Sequence, residues 1–172
     1  MSDCTEKICT TVFESSLGWF GILWRGPLVC QLTFGHKTRK AAIAGLGKAP
    51  SPIAPDACPD PILVARLQDY ADGAADDFSD VPVDTNHLTR FGERVFRACR
   101  GIPYGKTASY ASLARKAGSP RAARAVGQCM ASNRTPLIIP CHRVVGAGGR
   151  LGGFSAPGGI AVKQRLLDLE KS

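Results

Sequence analysis

The chain has 172 residues, 44% of them hydrophobic and 21% charged, and a formal net charge of +8. That balance excludes wholesale disorder, and the length suits one compact domain or two small ones. The charge is unevenly spread: residues 1–86 carry 7 Lys/Arg against 11 Asp/Glu, and residues 87–172 carry 15 against 3. The second half alone therefore has the electrostatic footprint of a surface for a polyanion, nucleic acid first.

Met1 to Lys7 lack the basic-then-apolar order of a secretory signal. No apolar run approaches the ~20 residues needed to cross a bilayer, so the expectation is a cytosolic protein that spans no membrane. Ile8 to Phe13, β-branched and aromatic, is predicted as a strand. A turn at Ser15-Ser16-Leu17-Gly18 leads to an apolar run from Trp19 to Trp24, and Gly26-Pro27 leads to another from Leu28 to Phe34. Short turns between three such runs predict an antiparallel meander. Lys37 to Gly45 reads as a short helix. Residues 47–61 hold five of the twelve prolines and are predicted as a loop. Pro61 to Tyr70 has helical spacing at Ile62, Leu63, Leu67 and Tyr70, and after an acidic stretch Val81-Pro82-Val83 is predicted as a last strand.

The pattern changes near residue 85. Phe91, Val95, Phe96 and Cys99 form the apolar side of a predicted helix from Thr89 to Cys99, with Arg90, Arg94 and Arg97 on its exposed side. Thr107 or Ser109 is placed to cap a helix running to about Ala117, which Gly118 stops. Ser119-Pro120 then predicts a second start, with serine at the cap and proline at the first helical position, for a helix reaching Ala131. Two short helices joined by a tight turn form either a helix-turn-helix or an ordinary helical hairpin. The second carries Arg121 and Arg124 among alanines, small-sided and basic as a groove-entering helix would be.

Seven cysteines at scattered spacings, with no Cys-x-x-Cys pair, argue against a disulfide framework and a zinc knuckle. A mixed metal set from Cys4, Cys9, Cys30, His36 and His87 stays open, although closely spaced ligand pairs are missing. Gly101 to Thr107 is one residue short of a phosphate-binding loop. The glycines from Gly146 to Gly159 fail the dinucleotide fingerprint, because Leu151 stands where its third glycine belongs. No cofactor is expected, and these glycines read as loop residues that turn sharply and bring backbone close to a ligand.

Leu137-Ile138-Ile139-Pro140-Cys141-His142-Arg143 is the most informative stretch: an apolar, strand-like run delivers Cys-His-Arg. A cysteine becomes a strong nucleophile where a base or a positive charge favours its thiolate. Adjacent side chains diverge in extended backbone, so contact between Cys141 and His142 requires a turn or a bridging water. An adjacent Cys-His pair is also a common accident of sequence.

Ile139-Pro140-Cys141-His142-Arg143-Val144 resembles the active-site signature of the O6-alkylguanine-DNA alkyltransferases, the methylated-DNA–protein-cysteine methyltransferases. The similarity extends through Pro103-Tyr104-Gly105, Ser109-Tyr110, Ala122 to Gly127, Asn133, Gly158-Gly159 and Leu166-Leu167 to Glu170, and so covers residues 86–170. It implies an α/β + α fold: a small N-terminal ribonuclease-H-like α/β domain over residues 1–85, then a helical, winged-helix-like domain with a helix-turn-helix over 86–172. The implied activity is direct, stoichiometric and irreversible transfer of a methyl or larger alkyl group from O6-alkylguanine in DNA to the protein's own cysteine. The implied partner is double-stranded DNA containing that lesion, met by a monomer in the cytoplasm at the nucleoid, or in a nucleus; no cofactor and no metal ligand is assigned, and zinc binding by the N-terminal half stays open.

By position, the resemblance makes Cys141 the alkyl acceptor, linked through a water to His142, which Glu170 orients. It gives Arg143 a structural role. Tyr110 crowds a DNA phosphate, turns the nucleotide out and donates a proton to guanine. Arg124 enters the duplex in place of the flipped base, and Asn133 braces the turn between helix and active site. Ser155 hydrogen-bonds the O6 side of guanine, with Met130, Pro136 and Phe154 as pocket wall. Phe154 stands where tyrosine is frequent, Ala156-Pro157 enlarges the following loop, and Val29 occupies a position where some relatives have a zinc-binding histidine. The first two leave the accepted alkyl size open. Three competing readings are a lesion-binding protein without transfer, a helix-turn-helix transcription factor and a cysteine hydrolase. Ala122, Ala123 and Ala125 offer a transcription factor few base-reading groups.

Overall fold

Within residues 8–47 and 59–171, which the computed structural model describes, the first three apolar runs pair as an antiparallel sheet in the order β1-β2-β3. The strands are β1 (Ile8–Ser15), β2 (Gly18–Arg25) and β3 (Leu28–His36). Phe20 is the hub of the apolar packing, with ring centroids 5.1 Å from Phe13 and 5.4 Å from Phe34. Helix α1 (Arg39–Gly45), capped by the Thr38 side chain, lies over β2. A Cβ at Gly21 would stand 3.1 Å from the Ala42 carbonyl oxygen, so the missing side chain sets how closely helix and sheet approach. Helix α2 (Pro61–Ala71) has Asp60 as its cap and proline at its start, and it buries Leu63, Leu67 and Tyr70 at helical spacing.

The expected strand at Val81–Val83 is reduced to a single parallel bridge between Val29 and Val83. The Val29 N–H donates to the Pro82 carbonyl at 3.0 Å, and the Asp84 N–H donates to the Val29 carbonyl at 2.9 Å. Pro82 has no N–H to extend a ladder. The loop expected over 47–61 lies mostly outside the described residues, as do Cys4 and Cys58. Among the described residues no group of three His, Cys, Asp or Glu is arranged to hold a metal ion. Cys30 of the mixed set has its thiol 3.6 Å from an Asp84 carboxylate oxygen.

The chain divides into two compact units: one reaches Asp76 and takes in Asp80–Asp84, and the other comprises Asp77–Ser79 and everything from Thr85 onward. The second unit is mainly helical. Helix α3 (Arg90–Arg100) is capped by Thr89 and buries Gly92, Val95, Phe96 and Cys99. A two-residue strand β4 (Ala108–Ser109) runs directly into α4 (Tyr110–Lys116), whose cap is Ser109. Arg94 donates to the Ala117 carbonyl at 2.9 Å, tying α3 to the end of α4.

Two local expectations are corrected here. The basic helix α5 is Ala123–Ala131, not a helix from Pro120, and its cap position, Ala122, makes no side-chain hydrogen bond. Ser119 to Ala122 instead closes a turn, the Ala122 N–H donating to the Ser119 carbonyl at 2.9 Å. Serine followed by proline suits the first two positions of such a turn as well as it suits a helix start. Leu137–Ile139, read as strand-like, is a buried turn with Leu137 at φ 71°, and Cys141–Arg143 is a 3-10 turn. Burial made those residues apolar, and an apolar run of that length does not distinguish a strand from a packed turn.

Candidate active site

Two residues of parallel pairing assemble the site. Ala108 and Ser109 of β4 lie against Val144 and Val145 of β5 (Val144–Val145), so the start of α4 stands beside the 3-10 turn that holds Cys141. Behind that turn, α6 (Gly159–Leu169) ends at Glu170 and buries Lys163, Leu166 and Leu167. Residues 163, 166, 167 and 170 share one face of a helix.

Glu170 is 4% exposed and serves as the common acceptor of the cluster. Its carboxylate meets His142 Nε2 at 2.7 Å, accepts from Arg143 Nε at 2.9 Å and Nη2 at 2.9 Å, and takes the Gly105 N–H at 3.2 Å. Arg143 also donates to the Ile102 carbonyl at 2.8 Å, and its guanidinium lies over the Tyr104 ring. Gly105 has φ +71°, and a Cβ there would stand 2.9 Å from the Glu170 carbonyl oxygen, so this close approach requires glycine. Burial holds the His142 imidazole below its ordinary proton affinity, against the opposing pull of Glu170. A neutral ring bonded to a carboxylate through Nε2 carries its proton there, which assigns the basic lone pair to Nδ1.

Asn133, at the end of α5, holds the turn. Its Nδ2 donates to the Ile139 carbonyl at 2.8 Å, and its Oδ1 accepts from the Thr135 N–H at 3.0 Å. Burial pushes the Cys141 thiol above its ordinary value, while the Asn133 side chain, the Lys163 charge and nearby backbone groups draw it down. Cys141 is also buried, yet it lines a cavity of about 520 Å3 together with Tyr110, Met130, Phe154 and Ser155. Gly127, Gly152 and Gly153 open that wall. A Cβ at Gly152 would stand 2.5 Å from the Tyr110 hydroxyl, so the loop can pass the ring only without a side chain. Burial, and after it negative charge at the Cys141 sulfur when that group ionises, push the proton affinity of the Tyr110 hydroxyl up.

The structure thus gathers Cys141, Tyr110, Met130, Phe154 and Ser155 at one cavity, with His142, Arg143 and Glu170 in the hydrogen-bonded cluster behind and Asn133 at the turn. Pro136 and Arg124 are not among the cavity-lining residues. Pro136 sits half-buried at the beginning of the turn, and Arg124 is exposed in the first turn of α5.

A methylated-DNA–protein-cysteine methyltransferase of Mycolicibacterium paratuberculosis is 35% identical over 158 residues, covering 92% of this chain and 89% of that protein. The chain belongs to this methyltransferase family. A relative of the same name from Mycobacterium bovis is 47% identical over 109 residues, 63% of this chain and 64% of its own length. The family model for the DNA-binding domain of 6-O-methylguanine DNA methyltransferase matches residues 90–172. The crystal structure of Mycobacterium tuberculosis OGT in complex with DNA superposes with a TM-score of 0.78 at 34% identity, covering 95% of this chain and 92% of that one. The mixed α/β fold of this methyltransferase, a small antiparallel sheet with helices, is the fold of those OGT structures.

Sequence reasoning missed three residues that lie beside this candidate site. Lys163 is 1% exposed, with its ammonium 5.9 Å from the Tyr110 ring centroid. Its signal was available: a lysine three and four residues before Leu166 and Leu167 falls on the buried face. Gly152 was grouped with loop glycines, because nothing in the chain announces which one faces Tyr110. Cys99 of α3 was assigned to the apolar core, and it also lies within electrostatic range of Cys141.

Proposed function

We propose that this protein repairs DNA by moving the alkyl group of O6-alkylguanine onto Cys141, once per molecule, with residues 86–172 binding the DNA and carrying the chemistry. The finer fold reading is a ribonuclease-H-like N-terminal domain over residues 1–85 followed by a winged-helix-like one. The protein acts as a monomer in the cytoplasm at the nucleoid, or in a nucleus.

The observation that carries the reading is the junction of two environments at Cys141. In front is a largely apolar cavity with a tyrosine hydroxyl, and behind is a buried histidine bonded to a carboxylate at 2.7 Å. His142 takes the thiol proton, through a water as the family resemblance implies, and Glu170 stabilises the imidazolium so formed. The thiolate attacks the alkyl carbon, the C–S bond forms as the C–O6 bond breaks, and the bonding pair stays with O6. Tyr110 delivers a proton to the released guanine, so no free anion departs. Ser155 meets the O6 side of the base, with Met130, Phe154 and Pro136 as apolar wall. Arg124, exposed on the small-sided α5, fills the stack that the extruded nucleotide leaves. The thioether product cannot be hydrolysed or exchanged by the groups present, so the protein is consumed.

The test is a duplex carrying labelled O6-methylguanine. Label moves to the peptide containing Cys141 and plateaus at no more than one per protein, and Cys141→Ser abolishes transfer. Multiple turnovers, binding without transfer, or label on Cys99 or Cys129 would overturn the reading.

A further inference from the structure

Among the described residues two cations are buried, Arg143 and Lys163. Arg143 is matched, its guanidinium sharing the Glu170 carboxylate at 2.9 Å. Lys163 pairs with no carboxylate among the described residues, and its ammonium faces the Tyr110 ring from 5.9 Å. With Cys141 as thiol and His142 neutral, the buried groups therefore hold two positive charges against one negative. With Lys163 protonated, a thiolate at Cys141 completes the balance.

We propose that Lys163 is a positioning residue, whose ammonium supplies the counter-charge for the Cys141 thiolate as it forms and supports the Tyr110 ring at the cavity wall. This rests on Cys141 being the alkyl acceptor. A charge in a water-poor site is felt far more strongly than at a surface, so one unmatched cation is a strong bias toward an anion beside it. The register of α6 gives the same division of labour. Lys163 and Glu170 are two turns apart on one face, about 10 Å along the axis, so one helix presents a cation toward Tyr110, which lines the same cavity as Cys141, and an anion toward His142 and Arg143. The electrostatics are reciprocal: the Lys163 charge draws the thiol down, and the thiol draws the lysine's proton affinity up against the lowering effect of burial. The other titratable or charged groups around Cys141 are Tyr110 of α4, Cys99 of α3, and His142, Arg143 and Glu170. Cys99 is pushed well above its ordinary range by burial, so it does not take over the anionic role.

The experiment uses the full chain as wild type, Lys163→Met and Lys163→Arg. Iodoacetamide modification of Cys141, followed on its peptide by mass spectrometry across a pH series, reads the thiolate without DNA. In Lys163→Met the midpoint rises by about one pH unit, which is about tenfold slower modification below it, and Lys163→Arg restores the wild-type profile. Methyl transfer from an O6-methylguanine duplex slows in parallel and recovers as pH rises, while affinity for the duplex is unchanged. Superimposable profiles for wild type and Lys163→Met, or an arginine variant as impaired as the methionine variant, would overturn the proposal. If wild-type protein accepts no methyl group, the acceptor reading fails, and the iodoacetamide profiles still decide the counter-charge. Should Lys163→Met not fold, the Lys163 15Nζ signal is titrated in wild type and in Cys141→Ser. Loss of the lysine proton at lower pH in the serine variant is expected, and identical titrations refute the proposal.

Discussion

Replacing Glu170 by glutamine removes one charge from the buried cluster and almost no volume. The carboxylate accepts from Arg143 Nε and Nη2, meets His142 Nε2 at 2.7 Å and takes the Gly105 N–H. An amide has one acceptor and one donor end, so its NH2 must face the guanidinium, the imidazole N–H or the Gly105 N–H, donor against donor. Arg143 keeps its charge at 1% exposure without a counter-charge. Removing one partner of a buried pair costs ~3–5 kcal/mol. At ~2–4 °C per kcal/mol for a chain of this size, Tm falls by ~6 °C or more. Arg143→Met alone leaves the carboxylate stranded and is similarly costly. The double variant removes both charges, so it is more stable than the sum of the singles by on the order of 2–3 kcal/mol. Urea unfolding of the four proteins by near-UV circular dichroism measures that coupling, with methyl transfer assayed beside it. The double variant regains stability without regaining transfer, because His142 has still lost its carboxylate. A Tm change below about 2 °C in Glu170→Gln, or strictly additive singles, would refute the account of Glu170 as the common counter-charge.

Burial depresses the proton affinity of His142 in the folded protein, so its contribution to stability is complete above about pH 6.5 and is lost as pH falls below that. His142→Gln therefore has a flatter decline of urea midpoint from pH 7.5 to 5.5 than wild type, and equal slopes would contradict this. Gly152→Ala drives its new Cβ against the Tyr110 hydroxyl and ring. Since misplacing a reacting group by ~1 Å can cost ~100-fold, transfer falls at least tenfold while iodoacetamide reactivity of Cys141 is retained; unchanged transfer would mean that Tyr110 tolerates displacement. Arg124→Ala impairs repair in duplex DNA and spares transfer from the free O6-methylguanine base, which needs no extrusion from a stack. Equal losses on both substrates would reassign Arg124 to folding or chemistry.

The meander was legible because its apolar runs are separated by turns too short for anything but antiparallel neighbours, and α3 because its buried residues keep a helical period. Ser119-Pro120 was not, since the same dipeptide opens a turn or a helix, and only the destination of the Ala122 N–H decides. Val81-Pro82-Val83 has strand-forming residues but lacks a donor at its centre. The segment before Cys141 misled for a different reason: Leu137, Ile138 and Ile139 are apolar because they are buried, and the turn they form is held by Asn133, a residue well outside the run. The candidate Cys-His-Arg could be located through its resemblance to a known signature. That Lys163 has no carboxylate partner among the described residues could not, because charge balance in a buried cluster is visible only once its members have been placed.

The weak beginning of α5 has a thermodynamic consequence of its own. Ala122 offers no capping side chain, and the second residue of the helix is the exposed cation Arg124. A serine or aspartate cap would add ~0.5–2 kcal/mol, and a cation beside the positive end of a helix dipole costs ~0.3–1 kcal/mol. The helix is thus less stable alone than its alanine content suggests, and its first N–H groups are open to an anion. Order in this segment is therefore linked to occupancy: on the proposed reading of α5 as the helix that enters DNA, binding there raises the melting temperature by mass action. Ala122→Asp moves the two properties in opposite directions, giving a free protein that melts higher and a complex with DNA that forms less readily.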